Sequence, residues 1–306
     1  MEPLAPRIPT TEFVEGVLVH LEGLPHWGRR LFIKRRMPGQ YPRFLYKYAS
    51  LNPEDNTSVD RMRDLVVRSH LWLSDHERFN DPFDLTANIV LVGTERQWKE
   101  RFKALIANQS NARHKERRAL LKEFMARPQA DWEASIKAIF KERARQVGIC
   151  SFADDPRSIL MWGHYGHHHE GLCLQFEYAL DPRIFSMAQK VEYANEYPTI
   201  NYIGDLAGQI LIPLTRKYLG WKYEGEWRVL HLTGANTSLP FDARALKRIV
   251  IGCRASEKVQ LSLEALLHDR RDKGLPEISL FRAERHPSAY KLLIKKISTP
   301  VLAKAP

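Results

Sequence analysis

The sequence predicts a mixed α+β fold of short, mostly antiparallel strands with flanking helices. Three observations carry that expectation. Short runs of aromatic, β-branched and aliphatic residues recur between turn residues, as at 44–48 and 247–252. Between 95 and 147 the apolar residues step at helical intervals instead: Trp98, Phe102 and Leu105, then Trp132, Ile136 and Ile139 beside Phe140. The composition, 44% hydrophobic and 27% charged over 306 residues, is that of a globular chain long enough to bury a substantial core. It excludes a wholly disordered chain, a collagen and a small disulfide scaffold.

The elements follow in order. Residues 1–42 read as a Pro-containing extension with the basic cluster Arg29, Arg30, Lys34, Arg35 and Arg36, no strong helix pattern, and room for a short strand at 31–34. The aromatic-rich run 44–48 is a strand. A capping box from Thr57 to Asp60 opens a helix with Met62, Leu65 and Val66 inward, and 70–73 is a short strand. Asn80, Asp81 and Pro82 make a sharp turn anchored by buried Phe79 and Phe83. Beyond the helical stretch, 147–152 is a strand, Asp155 to Tyr165 a short helix, and 171–178 an alternating strand. Residues 204–219 read as a helix despite Pro213, and 221–231 as the clearest strand of all. Strands at 247–252, 277–282 and 289–294 and a helix at 256–272 complete the pattern. The whole is a single α+β domain over 43–298, with a helical insertion at about 95–147 and a tail at 299–306.

Lys and Arg number 47 against 36 Asp and Glu, a net charge of +11. Residues 95–145 alone hold 14 basic and 7 acidic side chains. Such a field attracts polyanions, so the insertion and the cluster Arg29, Arg30, Lys34, Arg35 and Arg36 are the expected contacts for nucleic acid. No apolar run approaches the roughly 20 residues of a membrane span. The first 30 residues include Glu2, Glu12, Glu15 and Glu22 and lack a signal core, which predicts a cytoplasmic protein. Cys150, Cys173 and Cys253 then read as reduced, packed thiols.

The segment 221–231 holds the most chemistry. With a period of two, Trp221, Tyr223, Trp227 and Val229 face a core, and Lys222, Glu224, Glu226 and Arg228 face the other way. Two carboxylates one step apart suit a solvated face. They also suit a catalytic pair, one stabilising a developing cation while the other positions a nucleophile. Gly225 between them lets a ligand or a second backbone approach. His164, His167, His168 and His169 lack the further ligands of a metal site and read as surface and loop residues. Trp162 and Tyr165 suit core packing or a stacking wall for a base or nicotinamide ring. Asn80, Asp81, Asp84 and Arg228 are further candidate polar site residues. No GxGxxG, Walker or GxSxG motif is present, which argues against Rossmann, P-loop and α/β-hydrolase chemistry.

Five segments together resemble a large bacterial family known as a domain of unknown function: LYKYAS (45–50), LWLSDHERFNDPFD (71–84), CSFADDPRSILMWGHYG (150–166), HEGLCLQF (169–176) and KYLGWKYEGEWRV (217–229). The resemblance covers about 44–295, and the helices at 95–147 lie where its motifs are silent. The order of parts is also distantly similar to the ADP-ribosyltransferase fold, in which a basic residue on the first strand, a Ser-bearing strand and a late Glu-x-Glu strand surround NAD. That resemblance assigns Lys47 to the first position, Ser151 to the second, and Glu224 and Glu226 to the last. Here Lys stands where the fold usually has Arg or His, and Cys-Ser-Phe stands for a Ser-Thr-Ser run.

The resemblance implies NAD as substrate and cleavage of its nicotinamide–ribose bond. Glu226 and Glu224 are then the catalytic carboxylates. Lys47, Tyr46, Tyr48, Ser151, Trp162 and Tyr165 bind NAD, and the basic segments select an acidic acceptor such as nucleic acid. Two other readings remain open from the residues alone. In one, Asp81, Asp84, Glu224 and Glu226 hold Mg²⁺ in a nuclease. In the other, the chain is a non-enzymatic module that binds nucleic acid or protein through its charge.

Overall fold

The structure is a computed structural model that describes residues 23–36, 42–109, 113–204, 209 and 211–297. The tail 299–306 and most of the expected extension lie outside the described residues. In chain order the elements are α1 (His26–Arg36), β1 (Phe44–Ala49), α2 (Asn56–Arg63), β2 (His70–Leu73), β3 (Asn88–Val90), α3 (Glu95–Gln109), α4 (His114–Ala126), α5 (Gln129–Gln146) and β4 (Gly148–Phe152). There follow α6 (Ile159–His164), β5 (Leu172–Glu177), α7 (Pro182–Phe185), β6 (Ala188–Lys190), β7 (Glu192–Ala194), β8 (Thr199–Asn201), β9 (Arg216–Tyr218), β10 (Trp227–His231), β11 (Thr237–Pro240), β12 (Leu246–Ile251), α8 (Glu257–Asp272), β13 (Ser279–Arg285) and β14 (Leu292–Lys296). The fold is mixed α+β, and most strand pairs are antiparallel. Among the described residues no helix is long and apolar enough to cross a membrane.

The chain divides into two compact units, and the division differs from a single domain with an inserted helical stretch. The described residues of one unit come from His76–Gln146 together with Glu192–Leu219, and the rest of the described chain forms the other. The helices at 95–146 cannot close a core alone. Phe102, Trp132 and Ile136 are buried with Ile89 and Leu91 from one side of the insertion and Tyr202 and Ile203 from far down the chain. Two small parallel pairings, β3 with β8 and β7 with β9, tie those distant segments in. The rings of Phe102 and Trp132 lie 4.6 Å apart, and the Trp132 indole donates to the Phe124 carbonyl at 3.1 Å. Ile139, expected inward, is 52% exposed, because Phe140 takes its place on the buried face.

The larger unit is built on a five-stranded sheet in the order β1-β5-β12-β13-β14 and a three-stranded sheet β4-β10-β6. Strand β5 lies next to the sheet's β1 edge and is buried along its whole length, so 171–178 does not alternate; both of its faces meet core. Its last residue, Glu177, pairs with Arg30 of α1. The predicted strand at 31–34 is therefore part of a helix, and Arg30 is engaged within the fold. Arg29 is engaged likewise, its Nε donating to the Leu24 carbonyl at 2.9 Å. The side chains of Lys34, Arg35 and Arg36 lie outside the description. Helix α2 is capped two residues before its predicted box, at Asp55, whose carboxylate accepts from the Thr57 amide at 2.9 Å. Met62, Leu65 and Val66 are buried as the spacing requires.

Helix α8 joins β12 to the parallel strand β13. Ser256 caps its start, Val259, Leu263, Leu266 and Leu267 form its buried stripe, and Gly274 at φ 66° ends it in the left-handed region. Arg270, buried near its end, satisfies three carbonyls that no strand reaches: Val66 at 2.6 Å, Ala243 at 2.7 Å and Pro276 at 2.7 Å. One guanidinium thus fastens three chain segments. Arg270→Met should leave those acceptors unmet and cost about 3 kcal/mol in urea unfolding. The exposed Arg271→Met should leave the midpoint unchanged.

Candidate functional site

Strand β10 lies between β4 and β6, with Arg228 opposite both Ser151 and Gln189 and Trp227 opposite Phe152 and Lys190. Directly opposed residues share a face. Trp227, Val229, Cys150, Phe152 and Ala188 belong to the main core, so Ser151, Gln189 and Arg228 lie on the reverse face. Glu226, two residues before Arg228, shares that face. The guanidinium grips it with both arms, Nε to Oε1 at 2.8 Å and Nη2 to Oε2 at 3.0 Å. The pair is almost completely enclosed, Arg228 being 0% and Glu226 4% exposed. A planar fork on a carboxylate fixes its orientation as well as its charge.

The long strand expected at 221–231 is broken at Gly225. Leu219–Glu224 coils in 3₁₀ turns, and Gly225 sits at φ 51° with its amide donating to the Lys222 carbonyl at 3.3 Å. Only from Trp227 does the chain run extended. A side chain at Gly225 would be strained, and its Cβ would lie 2.0 Å from Oδ1 of Asp154. The glycine therefore accommodates a neighbour, as expected, but that neighbour is the residue just beyond β4. The corner also changes what Glu224 does: it does not simply alternate with Glu226 along a flat strand. It is 3% exposed and accepts a 2.7 Å hydrogen bond from the Tyr165 hydroxyl. Burial, and then the Glu224 charge, push the Tyr165 hydroxyl pKa far above its ordinary range, so Tyr165 is a fixed donor.

Lys47 approaches the same sheet from β1. The Tyr46 and Ala153 backbones exchange hydrogen bonds at 2.9 and 2.7 Å, which hooks β1 to the end of β4. The Lys47 ammonium then donates to the Ser151 carbonyl at 3.3 Å and lies 5.6 Å from the Phe152 ring centroid. It is half-buried, with no carboxylate partner among the described residues.

Other sequence-predicted residues lie elsewhere. Tyr46 and Tyr48 are on the face of β1 opposite to Lys47, because strand side chains alternate. They pack in a second core with Trp162, Cys173 and Val250. Tyr48 donates to the Asp155 carbonyl at 2.8 Å and meets the Trp162 ring edge-on at 5.2 Å. Trp162 is 0% exposed and spends its N–H on the Pro156 carbonyl at 2.9 Å, so it offers no open ring face to a ligand. Tyr165, half-buried, caps the C-terminal end of α6.

The Asn80–Asp84 turn belongs to the helical unit. Phe79 is half-buried and Phe83 is 64% exposed, so two buried phenylalanines do not anchor it. Asp81 Oδ1 accepts from the Phe83 amide at 2.9 Å, Asn80 is exposed, and buried Asp84 faces Lys217 Nζ at 3.8 Å. Lys217 and Asp154 were missed as participants, although both stand inside the motifs at 217–229 and 150–166. Among the described residues no group of three or more His, Cys, Asp or Glu is placed to hold a metal ion. His164 is exposed and rests against Tyr165, Trp221 and Tyr223, while His169 stacks on Trp162.

Comparison of the chain with protein-family models, curated proteins and solved structures finds no match in any of the three. The site must therefore be read from its own geometry. Gly225→Ala should destabilise the protein by about 1–2 kcal/mol, the cost of a left-handed non-glycine residue. Adding Asp154→Ala should relieve the steric share and leave that backbone share, as chemical denaturation of the two variants would show.

Proposed function

We propose that this chain is an NAD-cleaving glycosyltransferase of the ADP-ribosyltransferase type. One observation carries the reading: two enclosed carboxylates, Glu224 and Glu226, flank a left-handed glycine at the mouth of β10, which pairs with the Ser151 strand. That strand is hooked in turn to the strand of Lys47. The order of basic strand, Ser strand and Glu-x-Glu strand is the one the resemblance implies, and here those strands are neighbours. The uncompensated Lys47 ammonium fits the diphosphate of NAD, which needs a cation that no carboxylate has already neutralised.

When NAD is bound, the nicotinamide–ribose bond breaks and its electron pair leaves with nicotinamide, so positive charge develops on the ribose. Glu226, oriented by Arg228, meets that charge once NAD has displaced the side chains that enclose it. Burial strengthens the interaction by excluding water. Glu224, held by Tyr165, accepts the proton that the acceptor loses as it attacks the ribose. Water in the acceptor's place gives hydrolysis by the same residues. Lys47 binds the phosphates as a point charge.

Glu226→Gln keeps the shape and removes the charge. It should slow nicotinamide release from NAD by about 10²–10³-fold, the usual cost of losing one preorganised electrostatic partner. Nicotinamide release that is unchanged in a folded Glu226→Gln protein overturns the assignment.

A further inference from the structure

The helical unit carries cations that its own packing does not use. On α4, Lys115, Arg118 and Lys122 are exposed, and none has a carboxylate partner among the described residues. They recur at i, i+3 and i+7, so they form one stripe along about 10 Å of helix. Leu121, Phe124 and Met125 of the same helix pack on the unit's core. The two acids of α4 lie off the stripe, and Glu116 is spent capping the helix, accepting from the Arg113 amide at 2.7 Å. Helix α3 behaves differently: Lys99 and Lys103 are paired with Glu95 and Glu100 at 2.5 and 3.0 Å. On α5, Lys137 and Lys141 are again exposed and without a carboxylate partner among the described residues.

A pocket of about 310 Å³ opens in the same unit, lined by Arg96, Gln97, Glu100, Arg101, Ala104 and Ile203. The Arg101 guanidinium lies 4.4 Å over the Tyr202 ring, which fixes its plane, and its Nε–H is buried without an acceptor. Arg96 is exposed and likewise has no carboxylate partner among the described residues. The one acid in the pocket, Glu100, is met by Lys103. A stacked guanidinium whose edge faces a pocket suits a phosphate, and Ala104 and Ile203 give an apolar wall for a sugar.

We propose that the helical unit docks single-stranded nucleic acid, with phosphates along Lys115, Arg118 and Lys122 and a further phosphate at Arg96 and Arg101. An extended polyanion suits cations spread over helix faces. A strand that bends freely suits a pocket for one phosphate better than a stiff duplex does. A membrane surface is disfavoured because Leu121, Phe124 and Met125 of α4 pack on the unit's core, so the helix does not present a full apolar face beside its cations. This proposal does not rest on NAD chemistry, and its test reads binding alone.

The test is fluorescence anisotropy with labelled single-stranded DNA and RNA of about 20 nucleotides, a duplex of the same length, and phosphatidylserine vesicles in a parallel sedimentation assay. Single strands should bind at about 50 mM salt and weaken steeply as salt rises. The triple variant K115E/R118E/K122E should lose at least about tenfold in affinity and flatten the log–log salt slope by about 2, at roughly 0.7 per phosphate contact. R96Q/R101Q should weaken binding several-fold, with far-UV circular dichroism unchanged in both variants. The proposal is overturned if single strands fail to bind, if a folded triple variant binds equally well, or if the duplex or vesicles bind and single strands do not.

Discussion

The site depends on the register of β10 against β4. Placing Arg228 opposite Ser151 sends Trp227 and Val229 into the main core and leaves Glu226 and Arg228 together on the reverse face. A slip of one residue would exchange the two sets, putting an ion pair into the hydrophobic layer and two apolar side chains in its place. The core therefore enforces the position of the polar pair. Gly225 completes the constraint: its left-handed corner ends the strand where Glu224 can turn toward Tyr165.

Burying Glu226 and Arg228 is costly in itself, because both charges leave water. Hydrophobic residues of similar volume would stabilise such a strand as well or better. Under the proposed function, the ion pair serves chemistry that needs a carboxylate in one orientation. The Lys47 ammonium on β1 is similar: a half-buried cation whose neighbours are a carbonyl and the Phe152 ring is open to an anionic ligand.

Much of the fold was legible from periodicity. Strands β1, β2, β4 and β12, helix α8 and the helical stretch carry strong local patterns, and each stands within a few residues of its predicted place. The failures have physical causes. Residues 216–218 pair as a strand because residues 192–194 supply a partner, which no local pattern reveals. Helix α1 is held by Arg30 on Glu177, a contact spanning much of the chain. The alternation at 221–231 fitted a strand closely, but Gly225 was read as permissive when it was a corner. Of the candidate site, strand alternation marks Glu224, Glu226 and Arg228 in the sequence, while Lys47 and Ser151 enter through the resemblance alone. Trp162, Tyr46 and Tyr48 pack in a core, and an aromatic that lines a core shares its sequence signal with one that walls a ligand.

The central claim is that the enclosed carboxylates break a glycosidic bond of NAD. The most direct measurement follows two labels at once, one in the nicotinamide ring and one in the adenine, during incubation of the intact protein with NAD and cell extract. The account predicts that the ring label is released as free nicotinamide while the adenine label passes into ADP-ribose or onto a macromolecule. Both labels remaining together in intact NAD would contradict it.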